Sequence, residues 1–256
     1  MVSRTFELFR RAIAMKGVWT TVVWSAILEA ISLAIAFASG QGSSLVHPFS
    51  FGATPSTQTP NLSPTSGIVV LVLFVFGPFV TAGVYGMLGA AVKGEEVGWA
   101  SFIPYARKLY GRAWGAVLYY LIYVAAFAIV VGLLFLAIHT VAFVIASLLL
   151  IGSFPWAIRM LGGLFVHHYR WGQSFKASFR GRSYWGMLGT GLLGMVGILI
   201  GYGILALLAT LLHGVGEVVY YLGGLFLSVL VGCWFFSLYW AEKGDDSGAF
   251  PEQRIS

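Results

Sequence analysis

Ionisable side chains inside an apolar run are the first place to look for chemistry, because a charge in hydrocarbon is costly and is kept there for a reason. Two stand out. Glu29 lies about 11 residues into the apolar run that begins at Val18, about 16 Å along a helix axis. Arg159 lies about 7 residues before the end of the run 141–166, about 10 Å along it. Together they form a candidate intramembrane polar pair that would line a cavity for a substrate or a proton. The plainer alternative is a protonated or paired glutamate that fixes helix packing.

The histidines suggest a second chemistry. His47, His139 and His213 follow Trp19, Trp114 and Trp185 by 28, 25 and 28 residues. If three hairpin tips met, these imidazoles and the nearby Glu217 would suit zinc or a similar ion. No local ligand spacing accompanies them, so the three are weak candidates and no metal is assigned. His167 and His168, beside Tyr169 and Arg170, read as headgroup contacts.

Common catalytic signatures are missing. The sequence has no HExxH, no GxSxG and no P-loop, and its only aspartates are Asp245 and Asp246. Metalloprotease, serine-hydrolase and nucleotide-driven chemistries therefore lack their parts. We assign no catalytic residue and no cofactor, and expect a protein that is not an enzyme.

The elements that must position these residues follow from composition. Of the 256 residues, 59% are hydrophobic and 9% charged, and mean hydropathy is +0.87. A soluble domain carries about 25% charged residues, so most of this surface must face lipid. The whole chain, 1–256, reads as a single membrane domain. The single cysteine, Cys233, cannot form an intramolecular disulfide. The run Val18–Ala38 is too long for a signal-peptide core, and Met1-Val2-Ser3 lacks the glycine for myristoylation.

A helix needs about 20 apolar residues to cross the hydrocarbon core. Six segments meet this: 18–38, 68–92, 113–137, 141–166, 184–212 and 215–240. An outer loop, 39–66, separates the first two, and a tail, 241–256, follows the last. Every Lys and Arg except Arg159 lies before the first span, after the last, or between spans 2 and 3 or 4 and 5. The positive-inside rule places those segments, and both termini, in the cytoplasm. The net charge of +6 thus reads as membrane orientation, with no nucleic-acid partner.

Three aromatic and basic stretches precede a tryptophan: Phe6–Arg11 before Trp19, Phe102–Lys108 before Trp114, and Phe175–Arg180 before Trp185. Pro78 precedes Lys93 by 15 residues and Pro155 precedes Arg170 by 15. The exits Lys93-Gly94-Glu95-Glu96, Arg170-Trp171-Gly172-Gln173 and Lys243-Gly244-Asp245-Asp246 also look alike. The expected fold is therefore all-α: a six-span bundle built from three degenerate two-span repeats, each led by an amphipathic cytoplasmic helix. In those helices Arg10, Arg11, Lys16, Arg107, Lys108, Arg112, Lys176, Arg180 and Arg182 would meet anionic headgroups. Gly83, Gly86 and Gly89, and the GxxxG pair Gly197 and Gly201, suit close helix packing. Pro78 and Pro155 are expected to kink their helices.

The block Gly77-Pro78-Phe79, Gly83, Gly86, Lys93-Gly94-Glu95 and Phe102 resembles bacterial six-span families related to the membrane domain of some glycerophosphoryl diester phosphodiesterases. The resemblance implies a six-span helical fold in a bacterial cytoplasmic membrane. No phosphodiesterase domain is present, so that activity is not implied, and no functional residue is carried over. The functional expectation is a lipid-interacting protein or a subunit of a membrane assembly, with membrane lipids and a protein of that assembly as partners. The alternative is a transporter or permease-like subunit with a polar cavity around Glu29.

Overall fold

The computed structural model describes residues 1–38, 64–137, 139–181, 183–212 and 215–243; within them the side chains of 28–29, 32–38, 64–73, 137, 139–140 and 217 lie outside the description. The described residues form eight α-helices and no strand: α1 (Val2–Ala14), α2 (Lys16–Ala38), α3 (Pro64–Lys93), α4 (Phe102–Ala137), α5 (His139–Phe165), α6 (Trp171–Ser178), α7 (Tyr184–Leu211) and α8 (Gly216–Lys243). One 3-10 turn, Trp99–Ser101, leads into α4. Five segments are long and apolar enough to cross a membrane: Phe74–Lys93, Trp99–Leu136, Val141–Phe165, Tyr184–Leu211 and Val218–Lys243. The chain is a multi-pass helical membrane protein.

The buried core gathers at one end of the long helices. It joins Ala12, Val18 and Val22 to Met87, Leu88 and Val92 of α3, and to Phe102, Ala106 and Leu109 of α4. Leu164 and Phe165 of α5, Met187 of α7, and Cys233, Leu238 and Tyr239 of α8 complete it. In their most apolar stretches α4 and α7 bury no residue. Leu136, Phe143 and Leu199 are mostly exposed, as lipid-facing side chains are.

Two helix pairs approach closely because glycine permits it. A Cβ on Gly89 would lie 2.6 Å from the carbonyl oxygen of Phe165. A Cβ on Gly86 would lie 2.8 Å from Leu109 and 2.9 Å from Tyr105. Gly83 likewise lies against the ring of Phe102. The GxxxG pair behaves differently from the expectation. A Cβ on Gly201 would lie 3.0 Å from Leu227, but one on Gly197 would meet nothing within 4 Å, so among the described residues no neighbour uses that gap.

Three boundaries also differ from those read in the sequence. The stretch Phe102–Arg112 is no separate amphipathic helix; it is the first part of the 36-residue α4, whose buried face Phe102, Ala106, Leu109 and Ala113 runs on at helical spacing past Gly111. Helix α8 continues past 240 to Lys243, burying Ala241, Glu242 and Lys243. The exits after α3 and α5 are not equivalent. Lys93 ends α3, with Gly94 in the left-handed region at φ 87°. Helix α5 stops at Phe165, and Arg170 instead caps α6, where Gln173 accepts a hydrogen bond from its backbone N–H at 3.2 Å.

Candidate functional site

Helix α1 leads into α2 across Met15, whose extended backbone ends the first helix. The Trp19 indole donates to the Ile13 carbonyl at 2.9 Å and fixes that corner. The short α6 folds back onto α5. Ser174 donates to the Met160 carbonyl at 2.6 Å, and Gly163 leaves room for the Ser174 side chain. Helices α1 and α6 and the first turns of α4 therefore surround the packed end of the bundle.

An ion pair lies buried beneath that surface. Arg159 Nε donates to Glu242 Oε2 at 2.9 Å and Nη2 donates to Oε1 at 2.5 Å; both side chains are 3% exposed. This is the two-pronged geometry that a guanidinium offers a carboxylate. Arg159 Nη1 also donates to the Ser178 carbonyl, and the Ser183 backbone N–H donates to Glu242, each at 3.4 Å. The chain passes so close at Gly181 that a Cβ there would overlap the guanidinium. The pair thus ties α5, α8 and the α6–α7 connection together. The Glu29 side chain lies outside the described residues, so the partner expected for Arg159 is not seen; the structure places Arg159 with Glu242.

Above the ion pair lies a basic rim. Lys93 bridges Glu95 at 2.6 Å, and the Tyr105 hydroxyl donates to Glu95 at 3.0 Å. Burial alone would raise the Glu95 pKa, but the hydrogen bond and charge of Lys93 and the Tyr105 hydroxyl outweigh it and hold it below the usual range. Arg112 donates from Nε to the Tyr169 carbonyl at 3.2 Å and from Nη1 to the Lys108 carbonyl at 3.4 Å. The Arg11 guanidinium covers Gly94. A shallow groove of about 410 Å³, lined by Ala100, Ser101, Pro104, Tyr105 and Lys108, opens beside α4.

Two histidines sit within this rim. His167 Nδ1 is 3.0 Å from the Tyr239 hydroxyl, and its ring packs against Tyr169 and Trp240. Burial, then the charges of Lys243 and Lys93, push its pKa down to about 4. His168 has φ 57°, the one non-glycine residue with positive φ among those described. It lies in the turn that follows α5, where the Tyr169 N–H reaches back to the Gly163 carbonyl at 2.8 Å. Burial, followed by the charges of Lys108, Lys93 and Arg112, pushes its pKa to about 4 against a smaller upward pull from Glu95.

The expected headgroup residues are mostly where such residues belong. Arg10, Arg11, Lys16, Arg107, Lys108, Lys176 and Arg180 are exposed, and Arg112 is half-buried. Arg182 lies outside the described residues. Exposed aromatic and apolar side chains accompany them: Phe6, Trp99, Ile103, Phe175, Phe179 and Trp185. Of the weak metal candidates, His47 and His213 lie outside the described residues, as do the side chains of His139 and Glu217. Among the described residues no group of three His, Cys, Asp or Glu is placed to share an ion. Sequence reading missed Glu242 and the left-handed His168. Glu242 did carry a signal: an acid in a last helical turn opposes the helix dipole, so it needs a cation nearby.

Compared with protein families, with curated proteins and with solved structures, the chain matches none of them.

Proposed function

We propose that the protein is a six-span, non-enzymatic component of a bacterial cytoplasmic membrane whose basic rim holds anionic lipid headgroups, with both termini in the cytoplasm. The observation that carries this reading is the juxtaposition at one end of the bundle. Exposed cations such as Arg11, Lys108 and Lys176 stand beside exposed Phe6, Trp99, Phe175 and Trp185. Aromatic rings favour the headgroup layer, and Lys and Arg gain from its phosphates.

Helix α2 supports a sixth span, since its 23 residues are enough to cross the hydrocarbon core. A repeated feature supports the two-span units. In α3 the Tyr110 hydroxyl donates to the carbonyl of Val75 at 3.3 Å, three residues before Pro78. In α5 the Tyr184 hydroxyl donates to the carbonyl of Gly152, three residues before Pro155. In each case the tyrosine comes from the next long helix and serves the backbone that a proline disturbs.

The test is reconstitution of the full chain into nanodiscs of phosphatidylcholine with and without phosphatidylglycerol. We expect the anionic lipid to raise the melting temperature, and high salt to reduce the gain as it screens exposed charges. Equal melting temperatures in both lipids at low salt would refute the headgroup reading. A role as subunit of a membrane assembly remains compatible with it. The permease-like alternative needs a polar cavity around Glu29, whose side chain lies outside the described residues.

A further inference from the structure

Arg107, Tyr110, Trp114 and Leu118 follow one another along α4 at spacings of 3, 4 and 4, which puts all four on one face of the helix. From the start of α4 that face runs from a cation, through two amphipathic rings, to an aliphatic chain. This is the order in which a membrane presents its layers, from headgroup through interface to hydrocarbon. Arg107 is exposed and has no ion pair among the described residues. Leu118, Leu121 and Ile122 are exposed, as side chains in the hydrocarbon layer are.

Beside this face, α3 leaves a groove. A cavity of about 290 Å³ opens between the two helices, lined by Val75, Phe76, Phe79 and Tyr110. The Tyr110 hydroxyl is turned to the Val75 carbonyl at 3.3 Å, so the side chains offer the groove only methyl groups and rings. Those rings are held in place. Phe79 meets the Tyr110 ring edge-on at 6.2 Å between centroids, and Trp114 meets Phe74 edge-on at 4.6 Å. Phe74, Val75 and Phe76 are exposed and belong to a segment long and apolar enough to cross a membrane. The groove therefore opens towards lipid, and its walls need no ordering when it is filled.

We propose that this groove holds one acyl chain of an anionic phospholipid whose phosphate is bound by Arg107. The lining suits an alkyl chain and rejects a polar ligand, which would lose its hydrogen bonds to water there. Arg107 precedes Tyr110 by one helical turn, about 5–6 Å between Cβ atoms, on the side where a headgroup joins its chains. A guanidinium meets a phosphate with two parallel hydrogen bonds. A zwitterionic lipid fills the groove as well, but its phosphate already has a cation of its own, so Arg107 makes the site prefer lipids with a net negative charge. This deepens the headgroup reading above and rests on it: one position of the basic rim becomes a site for a single lipid, held by both its ends.

The test is photolabelling of the full chain in phosphatidylcholine nanodiscs. Phosphatidylglycerol with a diazirine in one acyl chain is added in trace amount, the matching phosphatidylcholine probe is added to a parallel sample, and labelled residues are mapped by mass spectrometry. Leu199, 69% exposed on α7, serves as the reference for ordinary lipid contact. Relative to Leu199, the phosphatidylglycerol probe is expected to label Val75–Phe79 about fivefold more than the phosphatidylcholine probe does, the preference one arginine supplies at an anionic headgroup. Arg107→Gln, at an exposed position where packing is not disturbed, brings that ratio to about one. Lys176→Gln, at an exposed position on α6, leaves it unchanged.

Equal labelling of the groove by the two probes overturns the proposal. So does a preference that survives Arg107→Gln, or one that Lys176→Gln abolishes equally, since either would make it a property of the whole rim. If phosphatidylglycerol still raises the melting temperature in any of these cases, the headgroup reading stands and only the groove site falls. If it does not, both fall together.

Discussion

Arg159 and Glu242, 83 positions apart in the chain, face each other in a two-pronged ion pair with both side chains 3% exposed. Each is the other's compensation for leaving water. Removing one partner strands a buried charge, at a cost of about 3–5 kcal/mol, whereas replacing both with apolar residues of similar volume is often neutral. We therefore expect Arg159→Met or Glu242→Leu alone to lower the melting temperature in detergent sharply, and the double variant to recover most of the loss. Losses that simply add in the double variant would show that the two side chains are not coupled.

Glycine at the α3–α5 crossing is a second point of vulnerability. A Cβ at Gly89 would press on the Phe165 carbonyl, a backbone atom that cannot rotate away. Gly89→Ala is expected to cost about 1–3 kcal/mol through overpacking. Gly197→Ala, where a Cβ meets open space, is expected to leave the melting temperature unchanged or slightly raised. Thermal denaturation of the two variants side by side separates packing glycines from the rest.

The pair also shows where sequence reading stops. The apolar runs were legible, and the ends of the helices fall within a few residues of them, apart from α4, which starts earlier at Phe102. Arg159 was legible as a charge that needs a partner. Its partner was not, because Glu242 follows the apolar run and reads as part of a solvated tail until α5 and α8 are brought together. His168 is harder still. Nothing local in His167-His168-Tyr169 announces a left-handed residue, since the usual marker is glycine. The basic rim was legible as a set of cations, but not the way Lys93 bridges Glu95 and Arg112 reaches the Tyr169 carbonyl.

Acid should destabilise the protein in a defined window. His167 and His168 have pKa values of about 4 in the folded chain, against about 6.5 when unfolded. Between those values the unfolded chain binds more protons than the folded one, so stability falls as pH drops from about 6.5 to about 4 and levels off below. Glu95, held below its usual value, adds a loss at the lower edge of that range. We expect the melting temperature in neutral detergent to decline through the window, and His167→Gln/His168→Gly to flatten the decline. An unchanged slope in the double variant would assign the acid sensitivity to other groups.

Proline in a membrane helix removes the hydrogen bond to the carbonyl four residues back and its ring splays that turn, so a neighbouring side chain can serve a carbonyl there. Tyr110 does so at Val75 and Tyr184 at Gly152, each carbonyl lying three residues before a proline. Replacing either tyrosine with phenylalanine keeps the ring and removes only the donor. Each change is expected to cost about 0.5–1.5 kcal/mol, the net value of a hydrogen bond. Replacing the proline changes the account. With alanine at 78 or 155 the N–H bonds the carbonyl four residues back and the turn closes to regular geometry, so the Val75 and Gly152 carbonyls are better served within their own helix. The tyrosine hydroxyl then matters less, and Tyr184→Phe should cost less beside Pro155→Ala than in the wild-type chain. A matching non-additivity for Tyr110→Phe with Pro78→Ala would mean that both hairpins use one device, as a repeated unit requires. Additive losses at either site would mean that the hydroxyl serves something other than the kink.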